Sequence, residues 1–319
     1  MATADQIKCM VKAYVAHDDE RFKTVVLQIA AHEAKLGHTS FAQELKKEVS
    51  NVKRDSASVV KQNHQNTMLQ FSNPTVNLAE LVASDMIIAK LNRILVEFRN
   101  KNKLYASGLS NRRKLLFEGP PGTGKTMSAS ILASELKLPL YTVLVDKLVT
   151  KFMGETSSRL RQIFDDMSMN VGVYLFDEFD AIGAARTMDN EVGEMRRILN
   201  SFLQFIETDS SDSIIIAATN NQKMLDTALF RRFDDVIHYE LPDDYQISKL
   251  FDKKLDGYTE KESYGHEVIA AARGLSQAEL SMVCEDAIKD YILFENKITS
   301  LSLISLLNER HRVYKSKEV

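Results

Sequence analysis

Residues Gly119, Pro120, Pro121, Gly122, Thr123, Gly124, Lys125 and Thr126 read GPPGTGKT, the spacing G-x-x-x-x-G-K-[ST]. That pattern is chemistry for a polyphosphate. Its glycines let backbone N–H groups curl around phosphate oxygens at the positive end of the helix they open. Lys125 would reach β- and γ-phosphates, Thr126 would place its hydroxyl on Mg2+, and Met127 follows beside the nucleotide. Downstream, VYLFDEFD ends four apolar residues on Asp177 and Glu178. At the carboxyl end of a parallel strand such acids face the ligand crevice. Asp177 would hold the Mg2+ shell and Glu178 would polarise an attacking water. Alone, a pair of adjacent acids is a solvated turn; the phosphate loop beside it favours the catalytic reading.

Three further stretches carry open alternatives. IIIAATN ends on Asn220, which either positions the water and senses a γ-phosphate or caps the next helix. LFRRFDD offers Arg231 and Arg232, either a solvated face or arginine fingers for a developing transition state. KFMGE places Lys151, Phe152, Met153 and Gly154 between a strand pattern and a helix pattern. Its Phe-Met pair either packs back into the core or has a working role.

The elements that must position these groups alternate. Apolar runs at 115–117, 140–145, 173–177, 214–218 and 236–240 are separated by helical patterns, which argues for an α/β unit with a parallel sheet. This domain is expected over 78–242. After Pro242 only helical patterns remain, so 243–319 reads as a helical lid. Residues 1–53 read as a small domain of three helices, over about 4–16, from Asp18 or Asp19 to about Leu36 before Gly37, and from Thr39 onward. The Ser-, Asn- and Gln-rich stretch 54–77 reads as a linker of low order.

The 319 residues are 44% hydrophobic and 27% charged, ordinary for a soluble globular chain. A net charge of −3 with no basic block disfavours a nucleic-acid partner. The two cysteines, Cys9 and Cys284, fit neither a metal spacing nor a disulfide framework and point to a reducing compartment. The N-terminus lacks the pattern of a signal peptide and no apolar run has the length of a membrane span, so a cytoplasmic protein with no membrane partner is expected.

Over about 76–315 the chain resembles the AAA ATPases of the AAA+ superfamily, in the clade of spastin, katanin and the membrane-anchored AAA proteases. GPPGTGKT resembles the Walker A motif and VYLFDEFDAIGAAR the Walker B motif with its continuation. Asn220 falls on the sensor 1 position, GEMRRILNSFLQFIE (193–207) on the second region of homology, and DTALFRRFD on the arginine-finger segment. The resemblance implies a P-loop AAA+ core, ATP and Mg2+ as cofactors, and a homo-hexameric ring with ATP at subunit interfaces. Arg231 and Arg232 would act in trans, and GLSQAELSMVCEDAI (274–288) would belong to a lid beside the nucleotide. KFMGE would be the first pore loop and 186–191 the second, with Phe152 and Met153 threading or remodelling a protein substrate. The alternative is an ATP-dependent switch for a partner effector. The layout also resembles bacterial AAA ATPases that work beside a subtilisin-like serine protease in phage-defence or plasmid-incompatibility modules. The 1–53 unit loosely resembles microtubule-interacting and trafficking domains and would dock substrates or partners. Three departures stand out: no Gly-containing spacer separates Arg231 from Arg232, Gln277-Ala278-Glu279 replaces a usual Gly-Ala-Asp, and LVASD (81–85) replaces a Gly-Gly near the adenine.

Overall fold

The structure is a computed structural model that describes residues 19–35, 38, 41, 43, 67–148, 155–179, 189–220, 230–259 and 264–315. The chain divides into two compact units, Met1–His64 and Gln65–Val319. In the first, α1 (Asp19–Lys35) stops just before Gly37 and buries Val25, Val26, Ile29 and Ala30. Their i, i+1, i+4, i+5 spacing forms one helical face. The helices expected on either side of α1 lie largely outside the described residues.

The second unit is built on a six-stranded sheet. Its strands are β1 (Leu69–Ser72), β2 (Lys114–Glu118), β3 (Leu140–Val143), β4 (Val173–Phe176), β5 (Ile214–Thr219) and β6 (Asp235–His238). The order is β1-β3-β4-β5-β2-β6, and all neighbours are parallel except β1 and β3. Strands covered on both faces need apolar residues at every position. In β5, Ile214, Ile216 and Ala218 enter one core cluster, while Ile215 and Ala217 enter the other. The first face is covered by α2 (Asp85–Arg99) and α4 (Lys125–Leu136) through Leu91, Ile94, Ile131 and Leu132. The second is covered by α6 (Glu155–Met169) and α7 (Asp189–Thr208) through Leu160, Ile163, Phe202 and Ile206. Two short helices, α3 (Lys101–Ala106) and α5 (Val145–Leu148), contact α2 and α6 respectively.

β1 corrects one expectation. The polar composition of 54–77 predicts a low-order linker, yet within it Leu69–Ser72 pairs antiparallel with β3. The strand gains its ladder from a distant partner, and its Phe71 ring packs against Tyr141 at 5.7 Å between centroids. The four-residue edge strand exposes its middle residues, so it lacks the apolar run that marks the central strands.

Beyond the sheet, α8 (Asp244–Lys254), α9 (His266–Ala272), α10 (Gln277–Phe294) and α11 (Ser300–Lys315) pack on their own core of Ile247, Phe251, Val268, Leu280 and Leu307. Asp243 starts α8 by accepting from the Gln246 amide at 2.8 Å, directly after Pro242. Neighbouring residues join the two cores: Leu81 packs with the sheet and α4, Val82 with the helical cluster. Register sets Thr219 beside Glu118, and Glu118 beside His238, along the carboxyl edge of β5, β2 and β6.

Candidate nucleotide site

Three motifs meet at that edge. The loop 119–124 leaves β2 and enters α4 through Gly124, whose φ of +100° is left-handed. Glycine is also a steric requirement here. A Cβ on Gly119 would lie 2.0 Å from the Tyr239 carbonyl oxygen, and one on Gly122 would lie 2.5 Å from Ser276 Oγ. The backbone is therefore pressed between β6 and the start of α10, leaving a cradle that a side chain would fill. Thr123 Oγ1 braces the curve by donating to the Pro120 carbonyl at 2.8 Å. The Lys125 ammonium donates to the carbonyls of Gly119 and Pro120, each at 2.7 Å, so the lysine folds over its own loop.

Across the cleft, the first residues after β4 complete the arrangement. Thr126 Oγ1 donates to Asp177 Oδ2 at 2.7 Å, bridging the start of α4 to the end of β4. The other oxygen, Asp177 Oδ1, accepts the Glu178 amide at 2.9 Å. Glu178 sits at φ +50°, a left-handed conformation that a side chain adopts at a cost of about 1 kcal/mol or more. Glu178, Asp177, Asn220, Lys125 and Thr126 all line one cavity of about 470 Å³. That volume suits a nucleotide-sized ligand. A hydroxyl and a carboxylate in contact are also hard oxygen donors of the kind that Mg2+ takes beside phosphates.

The rest of the cavity lining comes from other segments. Leu81 and Val82 come from the segment before α2, Leu250 from α8, and Gln277, Ala278 and Ser281 from α10. The Ala278 amide donates to the Gly122 carbonyl at 3.0 Å, fastening the helical unit to the phosphate loop. A second fastening runs from Lys253 Nζ to the Ala79 carbonyl at 2.7 Å. Burial draws the Lys253 ammonium below its ordinary range, with Glu80 opposing that shift. Leu250, Lys253 and Lys254 carry no motif in the sequence, whereas Ser281 falls in the 274–288 stretch expected in the lid. The only local signal was the spacing of Leu250 and Lys254, one turn apart on a helix.

Arg231 and Arg232 are not among the residues lining this cavity. Arg232 Nε pairs with Glu207 Oε1 at 2.5 Å, at the end of α7. Arg231 is exposed and makes no hydrogen bond or ion pair among the described residues. The segment itself is fixed from below, because Asp234 Oδ2 accepts the amides of Arg113 and Lys114 at 2.9 Å. Lys151, Phe152, Met153 and Gly154 lie outside the described residues, as do 186–188 of the 186–191 stretch.

A phosphate loop on a β-strand–helix junction, facing an acidic strand end in a parallel sheet, defines a P-loop nucleotide-binding protein. Residues 115–241 match the family described as "ATPase family associated with various cellular activities (AAA)". An uncharacterized AAA family ATPase, y4kL of Sinorhizobium fredii, is 33% identical over 307 residues, covering 93% of this chain and 92% of that protein. The proteasome-activating nucleotidase of Saccharolobus solfataricus is 31% identical over 76% of this chain and 64% of its own length. An ATP-dependent zinc metalloprotease FtsH of Parabacteroides distasonis is 34% identical, but the match spans only 30% of that longer protein. Among solved structures, the FIGL-1 AAA domain superposes with a TM-score of 0.60 at 20% identity, over 76% of this chain and 85% of that one. The chain belongs to the AAA family, and it is an ATP-binding ATPase. Among the described residues, no helix is long and apolar enough to cross a membrane.

Proposed function

We propose that ATP hydrolysis in this chain drives the remodelling or threading of a protein substrate, performed by a homo-hexameric ring with each ATP between neighbouring copies. The observation that carries the reading is the placement of Arg231: exposed, unpaired among the described residues and outside the lining of its own chain's cavity. A cavity whose described lining holds an acid, an amide and a lysine but no arginine is complete for hydrolysis once a neighbour supplies that charge.

In this mechanism the loop 119–124 binds the phosphates through its backbone, and Lys125 turns from the Gly119 and Pro120 carbonyls to the β- and γ-phosphates. Thr126 and Asp177 would hold Mg2+, which would neutralise phosphate charge when bound. Glu178 accepts the proton of the attacking water, aimed by its left-handed backbone, and Asn220 orients that water beside the γ-phosphate. Arg231 of the adjoining copy stabilises the charge that develops on the transferred group. Arg232 holds the segment in place through Glu207. Leu81, Val82 and Leu250 enclose the base, and Gln277 and Ala278 join the lid to it. The named activities of two relatives, a proteasome-activating nucleotidase and an ATP-dependent metalloprotease, support a protein as the substrate.

Phe152 tests the substrate claim. With unfolded casein as the probe, the reading predicts stimulated ATP turnover by the wild type. Phe152→Ala should retain basal turnover and lose the stimulation. Equal stimulation of both proteins would remove the gripping role and favour a switch that controls a partner effector, such as a serine protease, without threading.

A further inference from the structure

Directly beneath the phosphate loop lies a charge that the ATPase motifs do not use. Glu118 is the last residue of β2 and the one before Gly119, and it is only 2% exposed. Its carboxylate Oε1 is paired with Nδ1 of His238, the last residue of β6. The two are in register on adjacent parallel strands, so their side chains leave the same face of the sheet. Leu116 and Val236, two residues earlier on each strand, pack on that face with α6 and α7. On the other side of Glu118 the registered neighbour is Thr219, which is buried and carries no charge. The next cation along the chain is Lys125, whose ammonium sits on the carbonyls of Gly119 and Pro120, the two residues after Glu118.

A buried carboxylate at this position acts against the function of the loop above it. ATP brings several negative charges there, and a carboxylate turned toward them repels them and competes for Lys125. We infer that His238 is a positioning residue for ATP: its ring occupies the Glu118 carboxylate and so leaves Lys125 to the phosphates. The inference rests on the phosphate-loop assignment but concerns residues outside every motif of the family.

Binding of a fluorescent ATP analogue with Mg2+ to the full chain tests it. His238→Ala should weaken binding about tenfold, the scale of losing one hydrogen bond to a charged group. Glu118→Gln alone should bind at least as tightly as the wild type, and Glu118→Gln/His238→Ala should return to wild-type affinity. Packing alone makes the opposite prediction, since the double variant would then be as weak as His238→Ala or weaker. Unchanged binding by His238→Ala, or no recovery in the double variant, overturns the inference. Thermal unfolding checks that each variant is folded; if His238→Ala is not, weakened binding by Glu118→Gln alone overturns it. Lys125→Ala separates the two levels. Undiminished binding there removes the phosphate-loop assignment, whereas lost binding there with an unaffected His238→Ala removes only the role of His238.

Discussion

Adjacent arginines at 231 and 232 have unequal surroundings. Arg232 is held by Glu207, while Arg231 is exposed and makes no hydrogen bond or ion pair among the described residues. In the proposed ring, the arginine without a partner among the described residues is the one placed to reach a phosphate on another copy. A finger contributes about 10³-fold or more to turnover. Arg231→Ala is therefore expected to lower kcat about 10³-fold with ATP affinity largely kept. Arg232→Ala should act more mildly, through a loosened segment, because its partner is an exposed carboxylate. Steady-state phosphate release on the two variants checks the division of roles, and losses of equal size would contradict it.

At the scale of elements, the phosphate loop depends on contacts from α10. Gly122 stands at φ +74°, its carbonyl accepts the Ala278 amide, and a Cβ there would meet Ser276 Oγ at 2.5 Å. Gly122→Ala combines backbone strain with that clash, together about 1–3 kcal/mol. It should weaken ATP binding about tenfold or more by prising α10 from the loop; wild-type affinity by calorimetry would show that this fastening is dispensable. Elements also explain what the sequence made legible. β2 to β5 announce themselves because both faces are largely buried, which favours apolar runs such as IIIAA. β1 does not, since LQFS owes its strand to pairing with β3 rather than to its own pattern. The groups near the phosphates follow from short motifs whose residues are close in sequence to a strand end. Leu250, Lys253 and Lys254 reach the cavity through the packing of α8, a long-range arrangement that no motif encodes. The Glu118–His238 pair is equally silent in sequence: only the parallel register of β2 and β6 sets the two side by side.

At the scale of the whole molecule, the y4kL relative matches nearly end to end, whereas the metalloprotease match is confined to a third of that protein or less. The central claim is that hydrolysis takes place between copies, with Glu178 from one and Arg231 from the next. Glu178→Gln removes the base and should slow turnover about 10²-fold or more, while Arg231→Ala removes the finger. Each variant alone is then nearly inactive. Mixed in equal amounts before assembly, about a quarter of head-to-tail interfaces would pair an intact Glu178 with an intact Arg231. Phosphate release by the mixture should rise well above either parent, toward about that fraction of the wild-type rate. A mixture no faster than its two components would contradict catalysis between copies.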